Sequence, residues 1–265
     1  MQVSCGGEGT EVWRLRMAPS DAAAAGRILL DGQGVGELAA VLDRASSSTV
    51  CRVLVLEAEA GHFCQGMDLE RVIADTGAVG PQIGQFADCL RILRTCPQVV
   101  LSGVDGDAAG GGVGLAAAAD LAVATQGSTF GLPEIALGLL PAVVLPILME
   151  RMPPQRARLL CLFDTVDARQ ALELGLVDRV VQGPAELERA LRVAIKAALR
   201  ASPAAVAGLK ALQRQIAHLP CSEALDVGAE QTTSMLGLEQ TLAPIRAFLA
   251  GEPLPWFSRY RPGGR

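Results

Sequence analysis

Val104-Asp105-Gly106-Asp107-Ala108-Ala109-Gly110-Gly111-Gly112-Val113-Gly114 is the stretch on which the fold turns. It follows Val99–Ser102, an apolar and β-branched run that reads as a buried strand, and it opens an apolar helix expected over Val113–Ala119. Three consecutive glycines between strand and helix let the backbone approach a ligand closely, and the first-turn N–H groups favour negative charge. Such a turn suits a phosphate or a developing oxyanion, although tight helix–strand packing alone also accounts for the glycines. Neither the P-loop nor the dinucleotide-binding glycine pattern is present.

Working outward, Val53-Leu54-Val55-Leu56 is a second buried strand, and it leads into another glycine-flanked loop, Gly61-His62-Phe63-Cys64-Gln65-Gly66-Met67-Asp68-Leu69. Helices are expected over Leu69–Ala74 and Ile83–Thr95, the latter stopped before Pro97. Towards the amino terminus, Glu11–Met17 alternates as a strand, and Leu38, Val41 and Leu42 recur at helical spacing within Val35–Arg44. Leu121–Ala124 supplies a third strand of the central series, so strands alternate with helices as in a layered α/β domain. From about Leu145 the pattern is almost wholly helical, with pieces expected over Arg156–Phe163, Ala168–Gly175, Glu186–Ala201, Ala204–His218 and Cys221–Ala250. The expected organisation is a core over residues 1–195 and a helical carboxy-terminal region over residues 196–265.

With 265 residues, half of them hydrophobic, the chain can bury a sizeable core. A net charge of −5 gives no general nucleic-acid footprint. Two histidines are too few for a histidine-based metal centre, and seven scattered cysteines without a CxxC pair argue against zinc and a disulfide framework. Buried reduced thiols are expected. The apolar runs are too short to span a bilayer and no secretion signal is legible, so a cytoplasmic protein is expected. Glu134 follows Pro133 at an expected helix start, where proline and acidic residues are favoured for structural reasons alone.

In order, the chain runs strand, Phe63-Cys64-Gln65-Gly66-Met67-Asp68, two helices, strand, Gly106 to Gly112, helix, strand, then Phe130-Gly131-Leu132-Pro133-Glu134. This layout resembles the crotonase superfamily, also called the enoyl-CoA hydratase/isomerase family, from about Glu11 to Phe257. The resemblance implies a thioester-processing enzyme built as a spiral of ββα units, with a helical carboxy-terminal region that forms trimers, often stacked as hexamers. It places the thioester oxygen between the backbone N–H groups of Met67 and Gly111, and gives Glu134 the proton transfer. The Met67 side chain would shape the acyl pocket. No metal and no cofactor are implied, since the substrate is carried on the phosphopantetheine of an acyl carrier protein or on coenzyme A.

Hydratases of this family usually carry a second glutamate after the glycines, and here Gly114 stands in its place. A glycine exchanges no protons, so the two-carboxylate mechanism does not transfer. Candidate second acids are Asp68 beside the first loop, His62 and Asp107. Asp68 is equally a loop anchor, and Asp107 a turn aspartate bonding to nearby backbone; Asp120 reads as structural. Cys64–Asp68, Gly112–Gly114 and Leu139–Pro146 look narrower still, like the hydratase-like dehydratases of polyketide β-branching cassettes. That resemblance implies dehydration of 3-hydroxy-3-methylglutaryl carrier protein to the 3-methylglutaconyl thioester. The alternatives are a single-glutamate isomerase or decarboxylase, and a catalytically silent assembly subunit. An acidic carrier protein would need a local basic patch, for which Arg91 and Arg94 on one helix are candidates against a plain solvated face. Ile245–Trp256, with Phe248 and Trp256, resembles the family's terminal helix at a subunit interface.

Overall fold

Successive apolar runs each feed one strand into a large sheet and then one short strand into a small sheet. The computed structural model describes residues 1–20, 26–59, 61–162 and 165–260. A hairpin of β1 (Gln2–Gly6) and β2 (Val12–Ala18) precedes α1 (Gly32–Ser46). Then β3 (Val53–Ala58) and β4 (His62–Cys64) lead to α2 (Leu69–Ala74) and α3 (Val79–Thr95). Next, β5 (Val99–Val104) and β6 (Asp107–Ala109) lead to α4 (Gly111–Ala117). The third turn runs through β7 (Leu121–Thr125) and β8 (Thr129–Gly131) into a 3₁₀ turn, Pro133–Leu137. The first member of each pair enters a six-stranded sheet ordered β1-β2-β3-β5-β7-β10, and the second enters a four-stranded sheet ordered β4-β6-β8-β9. β2, β3, β5, β7 and β10 pair in parallel. This is a ββα spiral.

Burial explains why β2, β3, β5 and β7 of the large sheet were legible while its half-exposed edge strand β1 and the small-sheet strands were not. Val53, Leu54, Val55 and Leu56 are all buried, so β3 is an uninterrupted apolar run. By contrast, β4, β6 and β8 have three residues each, too few to show a period. α4 is buried from Gly112 to Ala117, and only small residues and two branched ones let a helix sit there. It starts two residues before its expected position because Gly110 turns the chain with φ +51°.

After the 3₁₀ turn come α5 (Leu145–Arg151), α6 (Pro154–Leu162), β9 (Val166–Asp167), α7 (Ala168–Leu174), β10 (Arg179–Val181) and α8 (Pro184–Ala198). The expectation of an almost wholly helical second half is thus corrected by two short strands. β10 pairs with β7 and β9 with β8, and both are too brief to show a pattern. The Phe163 end of one expected helix lies outside the described residues.

The chain divides into two compact units, Met1–Ile195 and Lys196–Arg265. The second holds α9 (Pro203–Ile216), α10 (Cys221–Leu236) and α11 (Glu239–Leu249). Ser202 caps α9 by accepting from the Ala205 N–H at 3.3 Å. The single helix expected over Cys221–Ala250 is two, because Leu238 adopts an extended conformation after the Gly237 cap. Trp256 lies beyond α11 rather than within a terminal helix. The chain turns at Gly251, φ +73°, and prolines at 253 and 255 prevent helical continuation. The Trp256 indole N–H donates to Arg200 O at 3.1 Å, and the Arg200 guanidinium lies 5.9 Å from the Phe257 ring centroid.

Among the described residues, no helix is long and apolar enough to cross a membrane. Among the described residues no cysteine forms a disulfide; five cysteines are buried, while Cys5 is half-buried and Cys221 exposed, which corrects the expectation for those two. Burial pushes the Cys64 thiol up to about 11 and Cys89 to about 12, so both remain protonated near neutrality.

Candidate active site

The first loop is zipped to the segment before α1. Gln65 N–H donates to Ile28 O at 2.9 Å, Leu30 N–H to Gly66 O at 2.7 Å, and Asp68 N–H to Leu30 O at 3.1 Å. Met67 is the bridging residue of this parallel ladder. Parallel pairing engages the residues on either side of the bridging one, so the Met67 N–H faces away from the ladder and finds no acceptor among the described residues.

The second loop presents its backbone differently. Gly110 N–H donates to Gly131 O at 2.9 Å and fixes the turn, after which Gly111 opens α4. A helix's first N–H groups have no intrahelical acceptor, so Gly111 offers a bare donor. Close approach dictates the glycines: a Cβ on Gly112 would lie 1.9 Å from Cys64 O, and one on Gly110 would lie 2.9 Å from the Glu134 Oε1. The second figure places the Glu134 carboxylate directly against the second loop.

Glu134 comes from the 3₁₀ turn that Pro133 opens after β8. Its Oε2 is buried without a hydrogen-bond partner. Burial raises the carboxyl above the usual glutamate range, opposed in part by a hydrogen bond from its own backbone N–H. Met67, Gly111 and Glu134 line one cavity of about 300 Å³. The rest of the wall is mainly apolar, with Leu30, Phe86, Leu139 and Val144 among its residues and, among the described residues, no arginine, lysine or histidine. Two main-chain donors and one poorly solvated carboxylate on a dry wall can hold a developing oxyanion and exchange a proton beside it.

The other candidates are employed elsewhere. Asp68 caps α2, accepting from the Arg71 N–H at 3.1 Å and pairing with Arg71 Nε at 3.3 Å. It lines a neighbouring pocket with Arg27 and Arg71 and is not among the residues lining the Glu134 cavity. His62 lies in β4 opposite Asp107 and lines neither pocket. Asp107 accepts from the Thr129 hydroxyl at 2.6 Å instead of bonding turn backbone. That backbone role belongs to Asp105, which accepts from the Gly61 N–H at 3.1 Å and the Thr125 hydroxyl at 2.8 Å. Asp120 is structural, accepting from the Val100 N–H at 2.8 Å. Arg91 pairs with Asp88, and Arg94 donates to Glu150 at 3.0 Å, so both arginines of α3 are engaged by acids.

Gly114 lies in the buried core, where an added Cβ would meet Val144 at 3.1 Å and Leu90 at 3.4 Å. Val144 therefore fills the space a second glutamate would need. Two residues with a bearing on the cavity were missed in sequence, Val144 and Gln65. Both stood within the quoted motifs, but only their neighbours in space give them a role.

Two sheets of ββα turns, with Met67, Gly111 and Glu134 lining one cavity, define a crotonase-type protein. The chain belongs to the enoyl-CoA hydratase/isomerase family, whose model matches residues 30–253. It is 34% identical over 148 residues to bacillaene synthase dehydratase PksH of Bacillus subtilis, covering 54% of this chain and 57% of that protein. It is 31% identical over 206 residues to carnitinyl-CoA dehydratase of Proteus mirabilis, covering 73% of this chain and 75% of that one. The match to PksH thus spans less than two thirds of that relative. Among solved structures, Pseudomonas aeruginosa AtuE superposes with a TM-score of 0.85 at 30% identity, covering 97% of this chain and 100% of that one. An enoyl-CoA hydratase from Shewanella pealeana superposes with a TM-score of 0.87 at 27% identity, covering 97% and 96%.

Proposed function

We propose that the protein is a lyase of the hydratase/dehydratase class acting on an acyl thioester, and that its reaction is loss of water from 3-hydroxy-3-methylglutaryl carrier protein. The observation that carries this reading is that Met67, Gly111 and Glu134 line one cavity, with Gly114 and Val144 standing where a second acid would be. The similarity to PksH, named a dehydratase, supports the direction of the reaction.

In this route the Glu134 carboxylate takes the C2 proton, and the C–H electron pair moves into a thioester enolate. Its oxygen is held by Met67 and Gly111, donors that meet the charge only as it develops. The enolate then forms the C2–C3 double bond, the C3–O bond breaks, and the departing hydroxyl takes the proton back from Glu134 as water. One carboxylate serves both transfers and ends as it began. The substrate's phosphopantetheine arm is the only carrier required.

Because the described residues of the cavity wall include no cation, the distal carboxylate would lie towards the exposed Leu137, Leu139 and Leu140. Burying it unpaired would cost several kcal/mol. The same apolar wall favours, as a second reading, a single-glutamate isomerase of an uncharged enoyl thioester. Incubation with 3-hydroxy-3-methylglutaryl carrier protein, followed by intact mass, separates the two. Loss of one water supports the dehydratase; an unchanged hydroxyacyl thioester alongside rapid conversion of an enoyl isomer supports the isomerase.

The carboxy-terminal unit is proposed to form the trimer contact, since Leu225, Phe248 and Leu249 are 68%, 69% and 78% exposed.

A further inference from the structure

Two residues that line the cavity, Glu134 and Gln65, each carry a buried side-chain oxygen without a hydrogen-bond partner, Oε2 and Oε1 respectively. A buried acceptor left unmatched is costly, and at a cavity wall that cost is relieved when a ligand supplies a donor. The first atom is accounted for by proton transfer. The second has no part in the route described above.

Gln65 is held in place by its backbone. Its N–H donates to Ile28 O, and the bonds of Gly66 and Asp68 to Leu30 lock the residues that follow. Gln65 lines both the Glu134 cavity and the neighbouring pocket. The cavity's other amide, Gln82, is engaged, its Nε2 donating to Leu30 O at 3.1 Å. Gln65 is therefore the uncommitted polar side chain that this apolar wall offers besides Glu134.

An unmatched acceptor calls for a donor, and a 3-hydroxyacyl chain has one, its hydroxyl. We infer that Gln65 is a specificity-determining residue that accepts a hydrogen bond from the C3 hydroxyl of the acyl group. The O–H then points at the amide oxygen while an oxygen lone pair is left for the proton held by Glu134. This inference rests on the dehydratase reading and names how the site would distinguish a hydroxyacyl from a saturated chain.

The test measures affinity without turnover, in Glu134→Gln protein with and without Gln65→Leu. The ligands are the coenzyme A thioesters of 3-hydroxy-3-methylglutarate and of its deoxy analogue, 3-methylglutarate. With Gln65 present, the hydroxyl should tighten binding by about tenfold, the worth of one buried hydrogen bond. With Gln65→Leu, the two ligands should bind alike while the deoxy ligand keeps its affinity. A hydroxyl preference that survives Gln65→Leu overturns the inference. Should Gln65→Leu lose the deoxy ligand too, Gln65→Met, which keeps the volume without the amide, is read by the same criteria. Dehydration by the unmodified chain is followed in parallel. If water is lost but the preference survives, only the role of Gln65 falls; if no 3-hydroxyacyl thioester is dehydrated, the functional reading falls and takes this role with it.

Discussion

At the scale of single residues, Glu134 combines a raised carboxyl with an oxygen that nothing in the protein solvates. Glu134→Gln should lower turnover by about 10²–10⁴-fold, the usual worth of a positioned acid or base, with the thioester still bound. A steady-state comparison of kcat and KM reads both. The acid limb of the kcat/KM profile should lie above 4.5, the ordinary glutamate value, because the carboxyl must be ionised to take the proton. Linkage has a definite sign here. The folded carboxyl titrates above its unfolded value, so its contribution to stability is fully present below 4.5 and is lost as pH rises through the folded value. In urea titrations, Glu134→Gln should therefore gain on the unmodified chain as pH rises through that window. Gly114→Glu should fail to add a second acid. Val144 and Leu90 occupy the space, and burying the carboxylate among them should destabilise the fold, as a lowered urea midpoint would show.

At the scale of elements, the site depends on α4 starting hard against β4. Gly112→Ala would push a methyl into Cys64 O, and overpacking of this kind should cost about 1–3 kcal/mol in denaturant unfolding, or more if the loop cannot yield. Elements of this length were legible where pattern and position coincide. α2 was read at Leu69–Ala74 and observed there, since the stop in apolar periodicity meets the Asp68 cap. Strands of two or three residues were not legible, and with them went the second sheet; the five-residue β1 was missed as well, its alternation lying on a half-exposed edge. Among the candidate residues, Met67, Gly111 and Glu134 were found by motif and are gathered into one cavity. Asp68 was open to two readings, assisting acid or loop anchor, because a cap and an acid at a loop's end look alike in sequence, and in the structure it caps α2. Gln65 and Val144 acquire meaning only through neighbours far along the chain.

At the scale of the whole molecule, the exposed apolar side chains of α10 and α11 bear on assembly. Sedimentation of the unmodified chain should give a trimer or hexamer, and Phe248→Glu with Leu249→Glu should shift it to smaller species. A monomeric unmodified chain would remove the proposed contact. The chemistry proposed for the intact protein makes a sharper demand, that one carboxylate and two backbone donors suffice for reversible enolate formation. Incubation of 3-hydroxy-3-methylglutaryl carrier protein in deuterated water, followed by mass spectrometry of the recovered thioesters, reads this most directly. The unmodified chain should give the dehydrated product together with recovered hydroxyacyl thioester that has gained deuterium at C2, and Glu134→Gln should give neither. Dehydration at an undiminished rate by Glu134→Gln would contradict the proposal.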